Sequence, residues 1–486
     1  MWLLKLSDQV MKMNKPNKQI VLLPLALIVL VLALGVILYV LFSGLLLPQN
    51  QTEKSNGNAL KIPLLLEDLN PDPNTADYIL DAQSGQTQFF SNHSTATLGY
   101  NGSYLGPVLR FRKGEKINIQ VNNHLSYPTT VHWHGLVVDG DQDGGPHQGI
   151  QPGDSWDPSF IVDQDAATLW FHPHLMGTTA DQVYDGLAGL IYIDDDNSDN
   201  LSLPKDYAIN DIPLIIQDRS FKSDGSFDYQ VSMMGVVAGD TILINGTVNP
   251  SLDLKKENTR FRLLNASNSQ IFEFRMSDGS DFQQIASDGG FLAEPLTRRS
   301  ILLAPGERAE VILDFSKTKS NLISLMIGQL PILKINLADT VIDTTAIPKS
   351  LDVINPIPIS KNPITRVFEL QSMGISGTIN GKSFDMNRID EEVALNETEI
   401  WVIRNTGGMM QPGGHPFHVH GTQFQIVSRN GRTPPLEEQG FKDTVFVDIG
   451  EEVEIRVRFT HPGIFMYHCH ILEHEDNGMM GQFRVQ

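Results

Sequence analysis

A single cysteine, Cys469, in 486 residues forbids any internal disulfide, and no cysteine lies near the N-terminus to be acylated as a lipoprotein anchor. Basic residues are also scarce. Thirty-six lysines and arginines face 57 aspartates and glutamates, and the formal charge of −21 argues against nucleic acid as a partner. That acidic excess reads as a solvated surface rather than as a recruiting patch for cations. No arginine precedes Arg110, so there is no twin-arginine export signal, and any metal is expected to be loaded after translocation. Histidine is missing altogether from residues 175–414, so the middle of the chain can supply no imidazole.

Charge is likewise absent from residues 20–48, a run dominated by Leu, Val and Ile. It exceeds the ~20 residues needed to cross a bilayer. Lys5, Lys12, Lys15 and Lys18 precede it, which leaves the N-terminus in the cytoplasm and the body outside. A cleaved signal peptide has an apolar region of ~7–15 residues and a small-residue cleavage site. This run is longer and lacks a clear site, so an uncleaved anchor in the cell membrane is expected, with a secreted body as the alternative if the segment is cleaved. The chain then divides into a cytoplasmic N-terminus (1–19), a transmembrane anchor or signal segment (20–48), a polar linker (49–59) and an extracytoplasmic body.

Against these absences, ten of the fourteen histidines fall into four tight groups. They are His132-Trp133-His134, His172-Pro173-His174, His415-Pro416-Phe417-His418-Val419-His420 and His468-Cys469-His470 with His474. On a strand, a His-x-His pair projects both rings to one side, so the pairs 132/134, 172/174, 418/420 and 468/470 suit a cluster of neighbouring metals. If the chain runs as a strand into Cys469, its thiol faces away from His468 and His470. It would therefore join two metal sites. Cys469, His474 and Met479 are soft donors of the kind that hold a blue-copper centre, and His415, outside the pairs, supplies the remaining imidazole. The ordinary reading of a lone cysteine is a small buried hydrophobe, but two imidazoles beside it would each need a polar partner in an apolar core. His93, His124, His147 and His461 are read as surface or loop residues. Met409-Met410, close to His415, could line a donor site or simply pack a loop.

Internal repetition gives the architecture. Asn-Gly turns at Asn101-Gly102, Asn245-Gly246 and Asn380-Gly381 each precede an alternating strand, at 116–122, 260–265 and 399–405. Gly-acid turns follow at Gly153-Asp154, Gly306-Glu307 and Gly450-Glu451. Short alternating strands between Gly, Pro and Asn turns indicate an all-β chain of three tandem Greek-key β-sandwiches. Their boundaries are expected at 60–200, 201–355 and 356–486, the middle one without metal ligands. Since the pairs come from the first and third units, the cluster is expected across their interface, with the second unit spanning and orienting the two.

In these four motifs, taken in order, the chain resembles three-domain multicopper oxidases, nearest the bacterial laccase and copper-efflux oxidase group. The resemblance covers residue 60 to the C-terminus and implies a cupredoxin-like fold for each sandwich. It implies four coppers per chain. His415, Cys469, His474 and Met479 would hold the type 1 copper, His132 and His418 the type 2 copper, and His134, His172, His174, His420, His468 and His470 the type 3 pair. No ligand position is substituted, which sets the chain apart from copper-free relatives that keep the fold as structural or division-associated proteins. The implied activity is one-electron oxidation of donors coupled to four-electron reduction of dioxygen to water. Either His415 or His474 could admit the electrons. Asp143 and Glu475 match acidic positions that deliver protons in similar enzymes. Against this, Asp143 could be only a turn residue and Glu475 only a group fixing an imidazole. Met326, Met373 and Met386 are the only methionines between 320 and 400, too few for the methionine-rich insertion of cuprous oxidases. Phenols and aromatic amines are therefore the expected donors, with Cu(I) or Fe(II) as the close alternative. A copper-holding or electron-transfer protein without turnover is a third reading, and two-domain nitrite reductases are a more distant rival. A monomer is expected.

Overall fold

The computed structural model describes residues 58–341, 346–407 and 413–486. The expected anchor, all of the tether before Asn58, and Met409-Met410 lie outside the described residues. Among those described, strands dominate, and no helix is long and apolar enough to cross a membrane.

The strands form where the sequence alternates. In Lys116–Asn123, Ile117, Ile119 and Val121 are buried while Lys116 and Gln120 face solvent, the period of two expected of a strand packed on one side. Six sheets enclose three main apolar cores. A five- and a four-stranded sheet enclose Leu80, Phe111, Trp133 and Phe171; a seven- and a six-stranded sheet enclose Leu214, Phe261, Phe274 and Leu325; two five-stranded sheets enclose Phe368, Trp401, Phe417 and Tyr467. In each unit an early strand lies parallel to a later one: Thr75–Thr87 with Lys116–Asn123, Asp211–Arg219 with Asn258–Asn265, and Thr365–Met373 with Thr398–Asn405. Parallel neighbours need a crossover.

Those crossovers run through the Asn-Gly turns, which repeat atom for atom. Asn101, Asn245 and Asn380 take left-handed φ values of 54°, 50° and 55°, a conformation asparagine tolerates. Their side-chain amides donate to the carbonyls of Ile79, Pro213 and Val367 at 2.8, 2.9 and 2.9 Å. They accept from the N–H groups of Asp81, Ile215 and Glu369 at 2.7, 2.8 and 2.7 Å. The glycines of the Gly-acid turns donate to Asn123, Asn265 and Asn405. The first of these partners is Asn123, one residue beyond the expected strand end.

The start of the body departs from the expected order. Asn58–Ala59, placed in the tether by the sequence, pairs in parallel with Pro250 and Ser251, and Leu60 and Ile62 pack on the second core. The chain reaches the first sandwich only at Leu65 and Leu66. Leu60 and Ile62 present apolar side chains at strand spacing, which suits the segment to lie beside the strand Pro250–Lys256.

Candidate metal centre

Four strands carry the histidine motifs: β1 (His132–His134), β2 (Ala167–His172), β3 (His415–Val419) and β4 (Gly463–Cys469). β1 and β2 pair antiparallel with His132 opposite His172; β3 and β4 pair with His418 opposite His468 and Phe417 opposite Cys469. Only β1 holds a whole His-x-His pair. β2 stops at His172, before Pro173, which has no N–H to give a ladder. β3 and β4 stop at Val419 and Cys469, so His174, His420 and His470 come from the turns that follow.

The two strand pairs face each other across the seam between the first and third sandwiches. His132 stacks on His420 with centroids 3.8 Å apart, and His134 on His418 at 3.7 Å. All eight imidazoles of the pairs are buried. Their nitrogens gather into three sets: His132, His134 and His418; His134, His172 and His470; His174, His420 and His468. His468 Nε2 lies 3.0 Å from His174 Nε2 and 3.1 Å from His420 Nε2, and His172 Nε2 lies 3.4 Å from His134 Nδ1. Such separations are those of two donors meeting on one ion at bonds of about 2 Å. His132 Nε2, His418 Nε2 and both nitrogens of His470 are buried without a hydrogen-bond partner, a cost a metal removes. Burial pushes His134, His172, His418 and His420 well below the usual imidazole value, with neighbouring imidazoles adding to the effect. Neutral rings keep the lone pairs a metal needs.

The remaining nitrogens are held by the protein. His132 Nδ1 lies 3.0 Å from the Asp143 carbonyl, His418 Nδ1 2.8 Å from the Asp443 carbonyl and His172 Nδ1 2.8 Å from the Pro173 carbonyl. His134 Nε2 lies 3.0 Å from Asp443 Oδ1, which leaves Nδ1 to face the metal set. Asp143 accepts from His420 Nδ1 at 2.7 Å through one carboxylate oxygen, and the other is buried without a partner. Asp143 is thus more than a turn residue. Glu475 sits 3.1 Å from His468 Nδ1 and 3.5 Å from His174 Nδ1, yet neither of its oxygens has an aligned hydrogen-bond partner.

A second donor set lies inside the third sandwich. Cys469 Sγ is 3.3 Å from His415 Nδ1 and 3.9 Å from His474 Nδ1. His474 is on the short helix α2 (Leu472–Asp476), which the helix α1 (Thr179–Asp185) of the first sandwich contacts. The Cys469 N–H donates to the Met479 carbonyl at 3.0 Å, and Met479 is buried in the same core. Burial pushes the thiol up from its usual value, and a bound metal would reverse this by stabilising the thiolate. Three imidazole sets and a thiol with imidazoles and a thioether fit copper. The outer nitrogens point away from the thiol: His415 Nε2 lies 3.4 Å from Ser372 Oγ, and His474 Nε2 lies 3.5 Å from the Met234 carbonyl.

The histidine-free middle sandwich reaches the cluster by two groups that sequence reasoning did not select. Gly306, with φ of 86°, leaves room for His470: a Cβ there would stand 3.0 Å from the ring. Arg308 grips Asp443 with both terminal nitrogens, at 2.7 and 2.6 Å, and also donates to the Thr168 carbonyl of the first sandwich at 3.0 Å. Asp443 in turn holds His134. The only signal in the sequence was the repeated turn at Gly306-Glu307; nothing distinguished Asp443. Of the four isolated histidines, His147 Nε2 is bonded to Gln482 Oε1 at 2.8 Å, a link between first and third sandwiches.

Three family models described as multicopper oxidase match residues 81–198, 216–329 and 355–486. A multicopper oxidase of Staphylococcus haemolyticus is 42% identical over 428 residues, which cover 88% of this chain and 92% of that one. The solved laccase of Pediococcus acidilactici is 38% identical with a TM-score of 0.85, covering 89% of this chain and 94% of that chain. A cell division protein, FtsP of Photorhabdus laumondii, is 32% identical over 452 residues, 89% of this chain and 93% of that one.

Proposed function

The chain belongs to the multicopper oxidase family, an all-β, cupredoxin-like copper oxidoreductase with dioxygen as acceptor; from that premise we propose that it is a laccase-like enzyme oxidising phenols and aromatic amines. The carrying observation is the sorting of the buried imidazoles. His134, His172 and His470 would hold one type 3 copper, His174, His420 and His468 the other, and His132 and His418, with their unpartnered Nε2 atoms, the type 2 copper. His415, Cys469, His474 and Met479 would hold the type 1 copper. About four coppers per chain supply one-electron acceptance at one site and dioxygen reduction to water at the other. This complete donor set supports an oxidase over a non-turnover electron carrier or a copper-free division protein.

The protein's own groups then have distinct tasks. The peptide His468-Cys469-His470 joins the two donor sets by covalent bonds. His474 is the electron access point, because its outer nitrogen is directed at Met234, beside the exposed Met233. Asp143 orients His420 and, with Glu475, holds protons for the reduced oxygen, since each carboxylate keeps a buried oxygen unpaired. The protein works as a monomer on the extracytoplasmic face, held by residues 20–48.

A second reading, oxidation of Cu(I) or Fe(II), is favoured by one observation. The Met233–Gly235 turn packs against the Met373–Ile375 turn beside His474, and Met233 and Met373 are 82% and 67% exposed. Thioethers are soft ligands that suit Cu(I). The test is to load the protein with copper and measure bound metal, the blue absorption band and oxygen uptake with a phenol, an aromatic amine, Fe(II) and Cu(I). About four coppers and uptake with phenol or amine is the expected result. Uptake only with the metal ions would replace the donor class, and bound copper without uptake would overturn the oxidase.

A further inference from the structure

A cavity of about 500 Å³ lies between α1 of the first sandwich and the 221–229 loop of the second; none of the metal-donor residues lines it, although Leu175, which follows His174, does. Tyr127, Tyr184, Phe227 and Tyr229 form its aromatic walls. Asp181 and Asp185 line it too, and their four-residue spacing puts both carboxylates on one face of the helix. No lysine, arginine or histidine lines it.

The nearby Arg219 partly offsets Asp185 through its charge, but it makes its hydrogen bonds elsewhere. Its guanidinium lies 4.3 Å over the Tyr184 ring, and its nitrogens donate to the carbonyls of Tyr184, Asp218 and Val183 at 2.6, 2.7 and 2.8 Å. Neither Asp181 nor Asp185 makes an ion pair among the described residues. Burial raises both carboxyls, Asp185 to about 6 against the lowering by Arg219; Asp181 is exposed at the mouth and Asp185 is half-buried. The walls are fixed in advance. The Tyr229 hydroxyl donates to Glu473 at 3.0 Å, its ring sits 4.7 Å from that of Tyr184, and Tyr184 meets Phe227 edge-on at 5.4 Å. Ring faces carry the negative end of the aromatic quadrupole, so they favour a cation as the two carboxylates do. The volume falls within the range of small-molecule sites.

We propose that this cavity binds a small arylalkylammonium ion, its ammonium between Asp181 and Asp185 and its ring against Phe227 and Tyr229. The proposal concerns binding alone and stands whichever donor the copper site oxidises. Its occupant would lie one hydrogen bond, Tyr229 to Glu473, from the residue before His474.

The test uses the full copper-loaded chain and titration calorimetry at neutral pH with 2-phenylethylammonium, which has no phenol to oxidise, and with phenylacetate, which has the same ring and the opposite charge. The expected result is one saturable equivalent of the ammonium and no binding of the acid. Asp181→Asn with Asp185→Asn, near-isosteric at an exposed and a half-buried position, should weaken the ammonium by about tenfold or more. Phe227→Leu should weaken it without a change of charge, and melting curves establish that the variants fold. Equal affinity for both probes, unchanged affinity in the double Asn variant, or no saturable binding to the wild-type chain would each overturn the proposal.

Discussion

Arg308→Met tests whether the middle sandwich holds the metal cluster together. The guanidinium is fully buried, grips Asp443 through both carboxylate oxygens and donates to the carbonyls of Gly306, Asp288 and Thr168, each at 3.0 Å. Its loss would leave Asp443 buried with Gln423 at 2.9 Å, Thr444 at 3.0 Å and His134 as partners, none of them a fixed cation. Breaking a buried pair from one side costs about 3–5 kcal/mol, because the remaining charge stays desolvated. Urea unfolding of the copper-free protein, followed by the fluorescence of the buried Trp133 and Trp170, should show that loss. Asp443→Asn alone should cost less, because Arg308 keeps the buried Asp288 carboxylate at 3.7 Å. Because Arg308→Met strands the Asp443 charge and the double variant removes it, the double variant should be more stable than the sum of the singles predicts, by about 2 kcal/mol or more. Copper content supplies a separate readout, since Asp443 sets which nitrogen of His134 faces the metal. An Arg308→Met protein within about 1 kcal/mol of wild type, with its full copper, would refute the reasoning.

Gly306→Ala should place a methyl group against His470 and force alanine to a left-handed φ, costing about 1–3 kcal/mol and releasing copper from the His134, His172 and His470 set, as metal analysis of the purified variant would show. Asp143→Asn and Glu475→Gln should keep the blue band of the Cys469 site while slowing oxygen reduction; unchanged turnover at saturating donor would remove the proton role. Glu310 is raised by burial but lowered more by Arg260 and Arg262, to about 2. A depressed carboxyl stabilises the fold above its unfolded value and loses that contribution as pH falls toward the folded one. Glu310→Gln should therefore cost on the order of 3 kcal/mol at neutral pH and progressively less as the pH falls through the carboxylate range toward about 2, read from melting curves across pH.

Much of the centre was legible because its chemistry is concentrated in few residue types. Histidine pairs at a spacing of two, one cysteine between two of them, and a histidine-free middle point to a metal site between the ends of the chain, where the structure brings these side chains together. The triple repeat was legible because asparagine and glycine at left-handed turns are hard to replace by other residues. What escaped were groups of ordinary types whose importance comes from three-dimensional neighbours. Asp443 is one carboxylate among many, and its role arises only when Arg308 and His134 arrive from the other two sandwiches. The pairing of Asn58–Ala59 with the second sandwich escaped for a related reason: an apolar alternation at Leu60 and Ile62 shows that a segment will find a core, but not which one.

The imidazole stacks between His132 and His420 and between His134 and His418 also constrain biosynthesis. On a ribosome, residues 132–174 emerge long before residues 415–474, so the first four rings of the centre are made with no opposite layer. Until the last sandwich closes over them, any copper they capture is held by an incomplete donor set. A chain that stops short of residue 415 lacks half of the facing rings and cannot form the centre. A full metal complement would therefore report that synthesis passed Met479 and that the first and third sandwiches found each other.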